Sequence, residues 1–92
     1  MYYVSKRFEM SAAHYVTTDH HTKCEALHGH NWIIIVHCKS ETLDEDGMVT
    51  DFTLIKRNIM SKIDHKNLNE VLDFSPTAEN LAKWICDETP NC

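Results

Sequence analysis

The spacing of hydrophobic residues changes halfway along this chain, and the change limits the folds open to it. From Tyr2 to His14 the even-numbered positions are mostly apolar and the odd-numbered ones mostly polar, with a break at Lys6. This period of two predicts a β-strand. The segment HNWIIIVHCKS is β-branched and apolar on both sides, which predicts a second, two-sided strand. After the acidic turn ETLDEDG, a short third strand is expected at residues 48–50.

Farther along, apolar residues recur every three or four positions, as on one face of an amphipathic helix. Phe52, Ile55, Ile59 and Ile63 have this spacing and follow Asp51, a good N-cap. This helix is expected to end near DHKNLN.

The segment SPTAENLAKWICDE predicts a second helix. Ser75 can cap it and Pro76 suits its first position. One apolar stripe follows, at Ala78, Leu81, Ala82 and Ile85. The predicted order is therefore β-β-β-α-α, an α+β fold in which two helices need more sheet to cover than these strands provide.

Length, charge and cysteine pattern exclude several classes of protein. Ninety-two residues predict a single domain with one modest core. A net charge of −5 without any basic run argues against nucleic-acid binding, and no window approaches the roughly 18 apolar residues of a membrane span. The four cysteines form no CxxC pair and no export signal precedes them, so we expect reduced thiols and a cytoplasmic location.

Histidines are the most unusual feature of the composition. His28 and His30 are two positions apart on a predicted strand, so their rings should project from the same face. His14, at the end of the first strand, could add a third nitrogen if the two strands pair. Three histidines with an open fourth position suit a catalytic zinc ion, although a His-x-His pair on a strand can equally be structural. His20 and His21 are expected to be solvated loop residues.

Cys24, Asp64 and His65 are open to more than one interpretation. Cys24 could close a four-ligand structural zinc site, act as a nucleophile or base, or be buried. Asp64 and His65 could form a carboxylate–imidazole pair, or could merely end a helix, where histidine favours the C-terminal dipole.

Five motifs in order make the chain resemble one known family. They are FEMSAAH, CEALHGHNW, DGMVTDF, DHKNLN and PTAENLAKWI, and they cover nearly the whole sequence. Together they resemble the 6-pyruvoyl-tetrahydropterin synthase / 6-carboxytetrahydropterin synthase family.

The resemblance implies roles for six residues and a specific architecture. His14, His28 and His30 would bind Zn²⁺, while Cys24 would be the catalytic thiol and would form a proton-relay triad with Asp64 and His65. The implied architecture is the tunnelling fold, an antiparallel sheet with two helices on one face. Subunits would form trimers, and two trimers would stack into a homo-hexamer with active sites at subunit interfaces.

Within the family, only three residues separate Cys24 from His28, as in bacterial 6-carboxytetrahydropterin synthases of queuosine biosynthesis. The resemblance therefore implies a lyase that converts 7,8-dihydroneopterin triphosphate to 6-carboxy-5,6,7,8-tetrahydropterin, acetaldehyde and triphosphate. The alternatives are a pyruvoyl-type synthase, which eliminates triphosphate, and a non-catalytic pterin-binding or zinc-stabilised assembly module.

The chain departs from the family at its C-terminal end. Family members continue into further strands, one of which carries a glutamate that binds the pterin, whereas this sequence ends at Cys92. Residues 1–92 are thus expected to be one C-terminally truncated domain. Glu79 and Glu88 lie in or beside the second helix and are not assigned as that glutamate, so the substrate-binding residues stay unknown.

Overall fold

Two long antiparallel strands form the sheet in the computed structural model, which describes residues 1–18 and 25–92. β1 (Tyr2–His14) pairs with β2 (His28–Ser40), so that Tyr2 is opposite Ser40 and His14 is opposite His28. Phe8, Met10 and Ala12 of β1 are buried on the side that faces the helices. Their odd-numbered neighbours point to the other side, because successive side chains of a strand alternate. The two long predicted strands are confirmed.

The first helix begins and ends where the spacing predicted. It starts as an α-helix at Phe52–Ile55, continues through a π-helical segment at Lys56–Met60 and finishes at Ser61–Ile63. The Asp51 carboxylate caps it by accepting the Thr53 N–H at 2.9 Å. The predicted N-cap is therefore confirmed.

Two further helices follow, a short one at Leu68–Val71 and the final helix at Ala78–Glu88. The sequence did not predict the short helix. The prediction of Ser75 as N-cap of the final helix is wrong, because Thr77 has an extended backbone and its hydroxyl accepts the Asn80 N–H at 3.1 Å. No helix in the described ranges is both long and apolar enough to cross a membrane.

The predicted third strand at residues 48–50 is absent, since these residues form a bend and not a strand. The Asp44 carboxylate accepts the backbone N–H groups of Asp46 and Met48, each at 2.9 Å. Gly47 takes the left-handed conformation that this turn requires, with φ at 79°. Local side-chain bonds to the backbone thus replace strand pairing here.

The core lies between the helices and one face of the sheet. Val36 and Cys38 of β2 are buried there with the even residues of β1. The helices contribute most of the remaining buried apolar residues: Ile55, Ile59, Met60, Ile63, Leu68, Leu81 and Ile85. The α+β fold class is thereby confirmed.

The molecule is elongated for its size. Its radius of gyration is 15.1 Å, whereas a compact domain of this length has about 12 Å. The opposite face of the sheet is open, and Ile33 and Ile35 are 60% and 54% exposed on it. The length of the two strands, 13 residues each, accounts for the long axis.

Two of the four cysteines differ from expectation. Cys86 and Cys92 form a disulfide with their Cα atoms 5.2 Å apart, so the prediction of reduced thiols is wrong for this pair. Asn91, with φ at 64°, turns the chain back after the final helix and brings Cys92 to Cys86. Cys38 is a buried free thiol. The cytoplasmic location stays a prediction, with less support from cysteine chemistry than the sequence suggested.

Candidate metal centre

Three histidines lie together where the end of β1 meets the start of β2. His14 is directly opposite His28, and His30 is opposite Ala12, two positions along on the same face. One ring nitrogen from each histidine lies within 4.8 Å of the other two. The structure thus brings together the three residues that the sequence suggested as ligands, and they could hold a metal ion.

The rings form a compact triangle that is closed on one side. Their centroids are 4.6 Å apart for His14 and His28, 4.6 Å for His28 and His30, and 5.2 Å for His14 and His30. His14 is buried, His28 is half-buried and His30 is exposed, so the triangle opens outward from the core. Zinc binds imidazole nitrogen at about 2.0–2.1 Å. Small ring rotations therefore suffice to bring all three nitrogens onto one ion, and the donor set fits zinc.

Hydrogen bonds to backbone carbonyls determine which ring nitrogen of His14 and of His28 is free to bind an ion. His14 Nδ1 is 2.7 Å from the Pro76 carbonyl oxygen, and His28 Nδ1 is 2.7 Å from the Ala26 carbonyl oxygen. A carbonyl can only accept, so each Nδ1 must carry the proton and donate it. In the neutral rings this leaves Nε2 as the free lone pair, and such a partner is typical of metal-binding histidine.

The surroundings of His30 favour the neutral form of its imidazole ring. Its pKa is lowered from the usual 6.5, first because packing against neighbouring rings partly removes the imidazole from water, and then through repulsion by His28 and His14. The residue as a whole is exposed, but its ring packs edge-on against both histidines and Trp32. This shift favours the neutral ring, which is the form that can bind a metal ion.

Trp32 packs against the cluster from the core side. Its indole centroid is 4.9 Å from that of His14 and 5.4 Å from that of His30, both nearly perpendicular. Indole Nε1 donates to the Ala12 carbonyl at 3.2 Å. Trp32 thus restricts two of the three rings, a role that the sequence did not indicate.

A segment after the first helix holds the end of β1 in place. Ala13 N–H donates to the Lys66 carbonyl at 3.0 Å. The Asn69 side-chain amide accepts the Tyr15 N–H at 2.8 Å and donates to the Tyr15 carbonyl at 3.1 Å. Because these bonds flank His14, they fix the backbone that carries this buried histidine.

Asp64 and His65 form the carboxylate–imidazole pair that the sequence left open. Asp64 Oδ1 is 3.2 Å from His65 Nδ1 and also accepts the Ser11 N–H at 3.1 Å. The His65 side chain is 74% exposed and its backbone is left-handed, with φ at 58°. Such a conformation is uncommon for a residue other than glycine and is often found at functional sites.

The pair and the histidine cluster lie toward opposite faces of the sheet. Asp64 and His65 line a shallow pocket with Ser11 and Asn31, whose side chains are hydrogen-bonded at 2.9 Å. Ser11 and Asn31 are cross-strand partners at odd positions. The histidines occupy the even positions, so one chain does not place the pair and the cluster on the same side.

Cys24, the predicted catalytic thiol, lies outside the described residues, as do His20 and His21. Sequence reasoning found the three histidines and the Asp64–His65 pair but missed the contacts that hold them. The Pro76 carbonyl and the Asn69 amide lie more than fifty positions from their partners. No local pattern could have indicated these contacts.

Comparison with known families agrees with the motif order. The sequence profile of the 6-pyruvoyl tetrahydropterin synthase family matches residues 3–91. A 6-carboxy-5,6,7,8-tetrahydropterin synthase of Bacillus subtilis is 31% identical over 91% of this chain and 62% of its own length. The enzyme of that name from Synechocystis is 37% identical over 92% of this chain and 72% of its own length. The chain thus spans under two thirds of the first of these relatives.

Other similar proteins carry the pyruvoyl name. A 6-pyruvoyl tetrahydrobiopterin synthase of Dictyostelium discoideum is 35% identical over 72% of this chain and 55% of its own length. The solved structure of Caenorhabditis elegans 6-pyruvoyl tetrahydropterin synthase superposes with a TM-score of 0.68 at 25% identity. The superposition covers 91% of this chain and 73% of the Caenorhabditis elegans chain.

Proposed function

Because the chain belongs to the 6-pyruvoyl tetrahydropterin synthase family, we propose that it is a zinc-dependent 6-carboxy-5,6,7,8-tetrahydropterin synthase of queuosine biosynthesis. It would convert 7,8-dihydroneopterin triphosphate and one water molecule to 6-carboxytetrahydropterin, acetaldehyde and triphosphate. The observation that carries the proposal is a cluster of three histidines, open on one side, in a chain whose relatives carry this enzyme name.

The proposed ligands are His14, His28 and His30, and zinc is the proposed ion. Three neutral imidazoles with an open position are the donor set of catalytic zinc sites. When bound, zinc would supply a Lewis acid that polarises the oxygen atoms of the substrate side chain. The exposed side of His30 leaves room for that side chain to approach.

Proton transfer is assigned to the other three predicted residues. Cys24 is proposed as the thiol that removes a substrate proton, four positions before the ligand His28. Asp64 holds His65 through Nδ1, so Nε2 of the exposed ring is the nitrogen that gives or takes a proton. Asp64 is itself held by the Ser11 N–H, which fixes the direction of the ring.

A homo-oligomer, with two trimers stacked as a hexamer, is proposed to complete the site and the tunnelling fold. The Asp64–His65 pair of one copy would then face the histidine cluster of another, since within one chain the pair lies beside the odd-position residues Ser11 and Asn31 and the histidines occupy even positions. An apolar cleft beside β2 also calls for a covering surface. It is lined by Trp32, Ile34, Leu81 and Ile85, among other residues.

The final helix carries two glutamates, and the chain spans 62% of the length of the Bacillus subtilis relative. Glu79 lies in the first turn of the final helix and Glu88 at its last residue, and both are exposed. Neither is proposed to bind the pterin.

Product analysis tests the function. The purified chain, loaded with zinc, is incubated with 7,8-dihydroneopterin triphosphate, and the pterins and acetaldehyde are measured by mass spectrometry. We expect 6-carboxytetrahydropterin and an equal amount of acetaldehyde. A pyruvoyl pterin without acetaldehyde would favour the alternative synthase, which the Dictyostelium relative supports. Zinc binding without any product would favour the non-catalytic module and overturn the proposal.

A further inference from the structure

The buried ligand of the metal centre depends on a carbonyl far away in the sequence. His14 is 6% exposed, and its Nδ1 bonds the Pro76 carbonyl, 62 positions along the chain. His28, by contrast, bonds the carbonyl of Ala26, two positions before it. The tautomer of His14 is therefore set by the turn that precedes the final helix.

That turn is held by a ring of hydrogen bonds centred on Asn80. The Asn80 side-chain Nδ2 donates to the Ser75 carbonyl at 3.0 Å, and its backbone N–H donates to the Thr77 hydroxyl at 3.1 Å. The Thr77 N–H donates to the same Ser75 carbonyl at 2.9 Å. Pro76 lies between these residues and is fully buried, so the bonds on either side of it hold the peptide that points its carbonyl at His14.

We propose that Asn80 is a positioning residue for the metal centre, acting through the Ser75–Thr77 turn and the Pro76 carbonyl on His14. This inference rests on the proposed metal site. Asn80 is exposed, and its hydrogen bonds go to Ser75 and Thr77 and not to His14, His28 or His30, so its effect is indirect. Without its side-chain donor the turn loosens, the Pro76 carbonyl loses its fixed direction, and His14 also populates the tautomer whose Nε2 carries the proton and cannot bind an ion.

The test is Asn80→Asp in the full chain. Aspartate has the same shape but cannot donate to the Ser75 carbonyl, and a carboxylate near a helix N-terminus is favourable, so the helix itself is not weakened. Zinc affinity is measured at fixed neutral pH by competition with a chromogenic chelator. We expect the variant to bind zinc about 10-fold more weakly, the lower end of the range for outer partners of a ligating histidine.

A second readout follows the tautomer directly. Nitrogen-15 NMR of the metal-free protein should find His14 with its proton on Nδ1 in the wild type and a mixture of tautomers in Asn80→Asp. Asn80→Gln, which keeps an amide donor, should recover part of both signals. If the aspartate variant fails to fold, Asn80→Ala, which also lacks a side-chain donor, takes its place, and Asn80→Gln stays the rescue variant.

Asp51→Ala is the matched control. Asp51 caps the first helix by accepting the Thr53 N–H, and no hydrogen bond among the described residues connects this cap to His14, His28 or His30. Loss of the Asp51 carboxylate should change zinc affinity by less than twofold and should leave the His14 tautomer unchanged. Equal zinc affinity in the wild type and in Asn80→Asp, with an unchanged tautomer, would overturn the inference while the metal centre stands. A wild-type chain that binds no zinc would overturn the metal centre and this inference together.

Discussion

The histidine cluster and the Asp64–His65 pair are built in different ways, although both flank the end of β1. The cluster stands on two paired strands, and two of its rings are fixed by backbone carbonyls at 2.7 Å. The pair lies in the turn after the first helix, and His65 has a 74% exposed side chain on a left-handed backbone. The histidine cluster is therefore held by contacts on several sides, whereas the Asp64–His65 pair is held on one side only.

This difference indicates which part of the site a single chain completes. The cluster has its three histidines, the partners of two rings and a packed tryptophan within one copy, so we expect metal binding to need no partner. The Asp64–His65 pair is positioned by the hydrogen bond from the Ser11 N–H to the Asp64 carboxylate, but it is open toward solvent. Catalysis should therefore be more sensitive to assembly than metal binding is.

The largest expected effect comes from removing a ligand. His28→Ala should lower zinc affinity by more than about 100-fold, beyond the loss typical of an outer partner, and should abolish turnover. His37→Ala is the control, because His37 is an exposed histidine on the other face of the same strand. Zinc content by mass spectrometry and chelator competition measure the effect. Equal zinc affinity in wild type and His28→Ala would contradict the ligand assignment.

Removing the proposed thiol should separate chemistry from metal binding. Cys24→Ala is expected to lower kcat by about 10²–10⁴-fold, the usual contribution of a general acid or base, with zinc content unchanged. Steady-state turnover and zinc stoichiometry are measured on the same preparation. A variant that keeps the wild-type rate would exclude a catalytic role for Cys24.

Mixing two inactive variants tests whether the pair serves another copy. His28→Ala lacks a ligand and His65→Ala lacks the exposed imidazole, so each alone should be inactive or nearly so. After joint refolding in equal amounts, random assembly should restore roughly a quarter of the sites, because a quarter combine an intact cluster with a partner's intact pair. Turnover of the mixture is compared with each variant refolded alone. No recovery in a mixed oligomer would place both groups in one chain.

The smallest effect concerns the packing of the cluster. Trp32→Phe keeps an aromatic ring against His14 and His30 but loses the Nε1–H bond to the Ala12 carbonyl. Unfolding in urea should show a loss of about 1 kcal/mol, the usual worth of one hydrogen bond. Zinc affinity should fall by less than about 10-fold. Trp84→Phe, an aromatic residue on the final helix, is the control for zinc affinity, and an equal loss in both variants would argue against a specific role for Trp32.

The sequence by itself determined the features that depend on neighbouring residues. Two-residue spacing placed His28 and His30 on one face, and Asp51 was recognised as a cap because capping involves only the next few residues. Where several local signals competed, the prediction was wrong. Ser75 and Thr77 are both good caps, and only the fold selects Thr77, because the Ser75 carbonyl is used by the turn.

Tertiary structure alone decided the contacts between distant parts of the chain. The Pro76 carbonyl reaches His14 across 62 positions, and the Asn69 amide reaches Tyr15 across 54. Hydrophobic period and capping are encoded within a few residues, whereas these contacts exist only after the helices have docked on the sheet. The grouping of the three histidines could therefore be predicted from the sequence, but not the groups that orient them.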